Sequence, residues 1–479
     1  MRPMPVRRLI RPRVSREDEL LPAPNILLIV SDDHGYADRS GLGVHPDVRT
    51  PALDRLAAEG VTCTDAYVTA PICSPSRASI ISGRYQQRWG GQWFDSAEFP
   101  PADVPTLAEI LRDQGYRTGY FGKVHYGKED VGDRACPPHH GFDETLYGLA
   151  GQSFGRLNYL HHSEDAVTSY GQPAAHHMAV QPLLSGDEPV EHEGFLTAEF
   201  GRRASEFMSA EDERPYFCMV AFNAVHNFCW QLPDSELEAR GLPAFRDWSP
   251  DTDRPFMEWY DDVIVPNLPH GREYYLAQLE LMDAEIGRLL ETAGDDTIVV
   301  YVTDNGGSTC NFGDNAPLRG TKYTLWDGGI RIPMLWRWPG QLPAGRRTDA
   351  LVSTMDLVPT LAAAAGATVD GADGLDILPV LAGSASVAHE NLHWDCGFQW
   401  AVRSGDWKLS WVADDANTRH LRDYEHAPMG EGWFLANLAD DIGEQTNQLS
   451  AQPEVVAQLR SLHADWRAEV GLEPQTVSP

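Results

Sequence analysis

The chain has 479 residues, 42% of them hydrophobic and 10% aromatic, which is enough for one large core or for a large domain with a smaller companion. Its 70 acidic residues outnumber 38 basic ones and give a formal charge of -32, which argues against a nucleic-acid partner and against docking on an anionic membrane. Seven cysteines without any C-x-x-C pair indicate neither a zinc site nor a dense disulfide framework, and we expect mostly buried thiols.

The chain begins with an arginine-rich segment, residues 1–23, which we interpret as a basic tail. The apolar run that follows, residues 25–30, is too short for the apolar region of a signal peptide. This favours a cytoplasmic protein and leaves a periplasmic or secreted location open.

The first regular element is a strand over residues 25–30, which leads directly into Asp32 and Asp33. A short apolar run that ends in polar groups is typical of a buried parallel strand that presents ligands at its carboxyl end. Proline and glycine signals then predict helices over residues 51–59 and from about 76 to 83.

Strands and helices alternate through the middle of the chain. We predict helices over residues 106–114, 194–209 and 272–292, and strands over residues 116–122, 215–223 and 297–303. The last of these strands ends in Asp304 and Asn305, so its end and that of the first strand are expected to be partners. Residues 148–193 are rich in His, Ser and Gly without clear periodicity, which predicts a loop insertion.

The pattern changes after a predicted helix over residues 353–366. Residues 399–412 alternate as two strands around a Ser-Gly-Asp turn, and residues 452–469 form a helix with one apolar face. We therefore expect a large domain over residues 24–384, which contains both acidic strand ends, and a smaller α+β subdomain over residues 385–479.

One segment, CSPSR, combines Cys73, a proline two residues later and Arg77 at the start of a predicted helix. The N-terminus of a helix favours anions, so this segment is a candidate site for one. By itself the pentapeptide is moderately specific, because a buried cysteine before an ordinary helix would look the same.

With this segment the chain resembles the sulfatases of the alkaline phosphatase superfamily over nearly its whole length. The resemblance implies an α/β fold with a central, mostly parallel sheet flanked by helices and a smaller C-terminal antiparallel sheet. It also implies that a formylglycine-generating enzyme oxidises Cys73 to formylglycine. The implied metal is Ca²⁺, or Mg²⁺, with ligands Asp32, Asp33, Asp304, Asn305 and the modified residue 73, and all-oxygen ligation suits such hard cations.

The same resemblance assigns the groups around the sulfate. The positive charge around the sulfate would come from Arg77, Lys123 and Lys322. Two of only four lysines in the chain thus fall on sulfate-binding positions of the family. Hydrated formylglycine would attack sulfur, His226 or Lys322 would protonate the leaving alcohol, and His125 would promote release of sulfate. The chain departs from the family at NAVHN, where Pro-His is frequent.

The leading hypothesis is a sulfuric ester hydrolase that acts on a small aryl or carbohydrate sulfate. Aromatic residues in QQRWGGQWF and at Trp230 are candidates for stacking on sugar rings. A phosphate or phosphonate monoester hydrolase is the second hypothesis, since the same diol attacks phosphorus. The third is a non-catalytic glycan-binding protein with an unmodified Cys73.

Overall fold

The computed structural model describes residues 23–127, 129–149, 155–265, 267–416, 430 and 432–474. The predicted basic tail, apart from Ala23, and Lys128 therefore lie outside the described residues. Within these ranges no helix has both the length and the apolar character needed to cross a membrane.

The strands and helices are numbered in chain order. The strands are β1 (Asn25–Ser31), β2 (Val61–Cys63), β3 (Ala66–Tyr67), β4 (Arg117–Val124), β5 (Glu144–Leu149), β6 (His161–His162), β7 (Leu183–Ser185), β8 (Glu188–Val190), β9 (His192–Glu193), β10 (Tyr216–Ala221), β11 (Thr297–Thr303), β12 (Met334–Arg337), β13 (Arg346–Thr348), β14 (Val352–Ser353), β15 (Asn391–Asp395), β16 (Gln399–Ser404), β17 (Trp407–Val412) and β18 (Gly432–Asn437). The α-helices are α1 (Pro51–Glu59), α2 (Cys73–Ser82), α3 (Leu107–Asp113), α4 (Glu164–Tyr170), α5 (Gln172–Met178), α6 (Leu196–Ser209), α7 (Asp234–Arg240), α8 (Phe256–Trp259), α9 (Gly271–Thr292), α10 (Asp327–Ile330), α11 (Leu357–Ala364), α12 (Leu378–Ala382) and α13 (Pro453–Glu469). Short 3-10 turns occupy Ser40–Leu42, Gln86–Trp89, Pro137–His140, Thr309–Asn311 and Thr354–Asp356, and a π-helical turn occupies Tyr260–Ile264.

Ten strands form the central sheet in the order β13-β2-β12-β11-β1-β10-β4-β5-β7-β8. The five strands from β11 to β5 are parallel to their neighbours, whereas β12 and β7 join them antiparallel. A mostly parallel sheet agrees with the predicted fold class. It also brings the carboxyl ends of five strands to one edge.

Both faces of the central sheet are buried, as the continuous apolar strands predict. Successive β1 residues alternate between two cores, with Leu28 in one and Leu27 in the other. Helices α2, α3 and α11 pack in the first core, and α1, α6 and α9 pack in the second. The sheet is therefore a middle layer between two layers of helices.

The predicted loop insertion over residues 148–193 is wrong as a description of most of this segment. It contains α4, α5 and four short strands, and the β7–β8 hairpin extends the central sheet. These elements have only two to seven residues, too few for a periodic pattern to emerge. Residues 150–154 lie outside the described part of this segment.

A second, antiparallel sheet of four strands, β15-β16-β17-β18, lies towards the C-terminus. The predicted hairpin is confirmed as β16 and β17, with Gly405 in the left-handed conformation at φ 54° in the turn. Helix α13 packs Val456 and Leu459 against Trp400 and Leu409 of this sheet.

Candidate active site

The candidate active site lies at the carboxyl edge of the parallel strands. Ser31 at the end of β1 is in register with Thr303 at the end of β11, so the acidic segments that follow are neighbours. The backbone N–H of Asp33 donates to Oδ1 of Asp304 at 3.3 Å. The backbone of Asp33 is in the left-handed region, at φ 57°, and aspartate tolerates this conformation better than most residues do.

Three buried carboxylates form the acidic part of the site. Asp32, Asp33 and Asp304 each offer an oxygen within 4.8 Å of the others. Burial raises the pKa of Asp33 and of Asp304. Burial acts in the same direction on Asp32, but the charges of Lys123 and Arg77 outweigh it and hold that pKa below its ordinary value.

The amide of Asn305 completes the acidic cluster. Its Nδ2 donates to Oδ1 of Asp33 at 2.7 Å and to the carbonyl of Gly306 at 2.9 Å. A Cβ at Gly306 would lie 1.9 Å from the carbonyl oxygen of Gly328, so only glycine allows this close approach.

Two cations, Arg77 and Lys123, pair with these carboxylates. Nε of Arg77 donates to Oδ2 of Asp304 at 2.7 Å, and its NH2 lies 3.4 Å from Oδ2 of Asp32. Lys123, at the end of β4, also donates to Oδ2 of Asp32. The charges therefore alternate through the centre of the site, which is how buried ions are tolerated.

Lys322 enters from a loop that is hydrogen-bonded to the segment after β11. Its backbone N–H donates to the carbonyl of Gly307 at 3.1 Å. Its ammonium lies 2.8 Å from Oδ1 of Asp33 and 3.2 Å from Nε2 of His226. Burial acts to lower the pKa of Lys322, but Asp33 opposes this and raises it well above its ordinary value.

Cys73 is the first residue of α2, so the helix begins three residues earlier than predicted. Its sulfur and ligand atoms of Asp32 and His226 lie within 4.8 Å of one another. Burial raises the pKa of the thiol to about 11, so an unmodified Cys73 is protonated and weakly nucleophilic at neutral pH.

The two histidines are both buried. Burial lowers the pKa of His125 well below its ordinary value, and the positive charges of Lys123 and Arg77 add to this effect. Burial also lowers the pKa of His226 well below its ordinary value, and the positive charges of Lys322 and Lys123 add to this effect. Both imidazoles are therefore neutral and are available as proton acceptors.

The donor atoms fit a hard divalent cation. Among the described residues, Oδ1 of Asp32 and Oδ1 of Asn305 are buried without any hydrogen-bond partner. Buried polar atoms rarely stay unsatisfied, whereas carboxylate and amide oxygens are preferred ligands of Ca²⁺ and Mg²⁺. Asp32 can offer Oδ1 to such an ion while its Oδ2 remains bound to Lys123.

Comparison with known proteins settles the family. A family model described as Sulfatase matches residues 24–367 of this chain. The chain belongs to the sulfatase family. It is therefore a hydrolase of sulfate esters.

Several relatives align with most of this sulfatase. It is 32% identical to arylsulfatase A of Bos taurus, with 95% of this chain and 90% of that one covered. It is 29% identical to steryl-sulfatase of Mus musculus, with 81% and 70% covered. Among solved structures, Ps i-CgsB in complex with k-i-k-neocarrahexaose aligns with a TM-score of 0.75, at 26% identity and with 95% of each chain covered.

The sulfatase structure buries every site residue that the sequence singles out. All ten are at most 5% exposed, namely Asp32, Asp33, Cys73, Arg77, Lys123, His125, His226, Asp304, Asn305 and Lys322. The contacts above join nine of them into one cluster, and the charges of Lys123 and Arg77 act on the tenth, His125. They come from separate segments between residues 32 and 322.

Sequence reasoning missed Asn227 and Tyr260. Oδ1 of Asn227 lies 2.6 Å from Nδ1 of His226, and its Nδ2 donates to the hydroxyl of Tyr260 at 2.6 Å. The sequence signal for Asn227 is that its polar side chain directly follows His226. Tyr260 lies in the π-helical turn and had no signal of its own.

The suggestion that Trp230 stacks on a sugar is wrong. Its side chain is 2% exposed, and its Nε1 donates to Oδ1 of Asp247 at 2.7 Å. The ring packs against Phe228 and Trp259. Trp230 is thus a core residue, which is the commoner position for tryptophan.

Proposed function

We propose that this sulfatase cleaves a sulfate monoester of an aryl or carbohydrate alcohol, with residue 73 as formylglycine nucleophile. The observation that carries the proposal is the contact between Cys73, at the N-terminus of α2, and a cluster of buried carboxylates and cations. Relatives named arylsulfatase and steryl-sulfatase, and a solved relative in complex with k-i-k-neocarrahexaose, support these substrate classes.

In the proposed mechanism the sulfate is held by positive charge. A sulfate monoester is an anion, and it must lose water before it enters a buried site. Arg77, Lys123 and Lys322 provide fixed cations there, and the N-terminus of α2 adds a favourable dipole. Exclusion of water makes each of these interactions stronger than it would be in solution.

Residue 73 acts after oxidation by a formylglycine-generating enzyme. One hydroxyl of the hydrated aldehyde attacks sulfur and gives up its proton to a buried carboxylate of the cluster, and the bond between sulfur and the alcohol oxygen breaks. The leaving alcohol takes a proton from Lys322, whose ammonium lies 3.2 Å from Nε2 of the neutral His226. His125 then accepts the proton of the second hydroxyl, the carbon–oxygen bond to sulfate breaks, and the aldehyde forms again. A plain thiol has no second hydroxyl and lacks this last step.

Asp32, Asp33, Asp304, Asn305 and residue 73 would hold Ca²⁺ or Mg²⁺. When bound, such an ion supplies Lewis-acid stabilisation of negative charge at the reacting oxygens. Lys123 and Arg77 keep Asp32 ionised, which prepares that carboxylate for a cation.

The test measures turnover and the state of residue 73 in enzyme from the native host. We expect hydrolysis of a chromogenic aryl sulfate, abolished by Cys73→Ala and retained in Cys63→Ala, which removes another buried thiol. The peptide that carries residue 73 should be about 18 Da lighter than its cysteine form. An active enzyme with an intact thiol would contradict the formylglycine mechanism, and a strong preference for matched phosphate monoesters would contradict the substrate class.

A further inference from the structure

Four aromatic side chains form a continuous group beside the active site, which we call the aromatic wall: Trp93, Phe94, Tyr323 and Phe398. Trp93 packs edge-on against Phe398 at 4.8 Å and against Phe94 at 5.5 Å between ring centroids. The ring of Tyr323 lies 6.2 Å from that of Phe94 and 6.4 Å from that of Trp93. Such spacings are typical of interacting aromatic rings.

The inner end of the aromatic wall touches the catalytic cluster. Tyr323 directly follows Lys322, whose ammonium lies 5.6 Å from the centroid of the tyrosine ring. The backbone N–H of Tyr323 donates to the carbonyl of Pro71 at 2.8 Å, two residues before Cys73. Gln399 also fixes this segment, because its Nε2 donates to the carbonyl of Tyr323 at 2.7 Å. The ring is thereby held next to the groups that would surround a sulfate.

The outer end of the aromatic wall reaches solvent. Phe94 is 42% exposed, and it is the one aromatic ring among the six large apolar side chains that are exposed in the described part of the chain. An apolar surface thus runs from solvent at Phe94, past Tyr323, to Lys322. The alcohol part of a sulfate ester bound at Lys322 would have this surface beside it.

The charges beside Phe94 select against a second anionic group. Asp95 and Glu98 are exposed on the same loop, and the whole chain carries a formal charge of -32. A sulfate or carboxylate at the outer end of the substrate would be repelled there, whereas an uncharged ring would not.

We infer that the aromatic wall binds the ring of the substrate's alcohol part, and that the preferred substrate is the monosulfate of a flat, apolar ring alcohol. This rests on the proposed function and names the substrate class of the same site. Phe94 and Tyr323 are then specificity-determining residues, and Phe398, between β15 and β16, supports them through Trp93. The wall contributes binding energy through apolar area and ring contacts.

The test compares kcat/KM for four sulfate esters with matured enzyme. The probes are 2-naphthyl sulfate, phenyl sulfate, a monosaccharide 6-sulfate and a disulfated disaccharide. We expect the highest kcat/KM for 2-naphthyl sulfate and the lowest for the disulfated sugar. Phe94→Ala should lower kcat/KM for 2-naphthyl sulfate about tenfold, mainly through KM, and should affect the monosaccharide sulfate less than about twofold.

Two further variants complete the design. Phe94→Tyr keeps the ring and should retain the wild-type preference. Val387→Ala truncates an exposed apolar side chain outside the aromatic wall and should change nothing. A preference for the disulfated sugar, or an equal effect of Phe94→Ala on all four esters, would overturn the inference while leaving the sulfatase function intact. Absence of turnover with every sulfate ester would overturn both.

Discussion

The ammonium of Lys322 lies 3.2 Å from Nε2 of His226. An ammonium can only donate, so Nε2 is the acceptor and the imidazole proton is on Nδ1. That proton is donated to Oδ1 of Asn227 at 2.6 Å. His226 is therefore neutral beside a charged Lys322, in agreement with the lowered pKa of the histidine and the raised pKa of the lysine.

This arrangement makes Lys322 the proton donor of the pair. We predict that Lys322→Met lowers kcat about 100- to 10,000-fold for alkyl sulfates, whose alcohol needs a proton to leave. With 4-nitrophenyl sulfate the loss should be much smaller, because nitrophenolate leaves without a proton. The measurement is a series of leaving groups for both enzymes. An equal loss across the series would mean that Lys322 only binds sulfate.

Removal of divalent cations should abolish turnover. Asp32, Asp33 and Asp304 are fully buried together, and without a cation their mutual repulsion is only partly offset by Arg77 and the two lysines. We expect dialysis against EDTA to stop hydrolysis and to lower the melting temperature, and added Ca²⁺ or Mg²⁺ to restore both.

The control for cation removal is the variant Asp304→Asn, which removes one carboxylate and so weakens cation binding without a chelator. Its melting temperature should respond less to added Ca²⁺ than that of the wild type. Full activity after exhaustive chelation would contradict the assignment of these residues as ligands.

The sequence predicts the acidic strand ends well, because parallel strands bring residues that directly follow them to one edge. Once β1 and β11 are assigned as parallel strands, Asp32 and Asp304 are expected to be neighbours. The contacts of Lys322 with Asp33 and His226 required family resemblance, since a loop residue carries no periodic signal.

Other features depend on tertiary packing that no local pattern encodes. Trp230 and Trp93 are both buried, yet Trp230 packs against Trp259 and Trp93 packs against Phe398 of the aromatic wall. Phe398, directly before β16, packs against Trp93, a contact between residues about 300 positions apart that no local pattern predicts. Short elements such as β7 and β8 are formed by pairing and not by their own propensity.

A buried ion network around Lys408 is predicted to support the loop after Lys322. Nζ of Lys408 lies 2.7 Å from Oδ1 of Asp327 and 2.9 Å from Oε1 of Glu444, and all three are at most 1% exposed. Lys408→Met would leave two buried carboxylates without this cation and should lower the free energy of unfolding by about 3–5 kcal/mol. Denaturant midpoints provide the measurement.

Arg202→Met is the matched control for Lys408→Met. Arg202 pairs with Glu199 and Glu206 on an exposed face of α6, and its loss should cost less than about 1 kcal/mol. The double variant Lys408→Met with Glu444→Gln should recover part of the lost stability, since one unpaired charge is removed. Similar midpoints for Lys408→Met and Arg202→Met would contradict a stabilising network.

The last prediction concerns acid pH and His140. Burial lowers the pKa of this histidine to about 3, and its Nδ1 bonds the carbonyl of Arg134 at 2.8 Å. In the unfolded chain the group takes up a proton below about pH 6.5. The unfolded state then binds more protons, so the free energy of unfolding falls as pH decreases from about 6.5 towards 3, by about 1.4 kcal/mol per pH unit for one such group.

Urea unfolding at pH 8, 6 and 5 measures this dependence. His140→Gln should reduce the slope between pH 6 and pH 5 by about 1 kcal/mol per pH unit, whatever its effect on absolute stability. His139→Gln changes an exposed neighbour and should leave the slope unaltered. If both variants keep the wild-type slope, the acid sensitivity arises elsewhere and the buried neutral state of His140 is refuted.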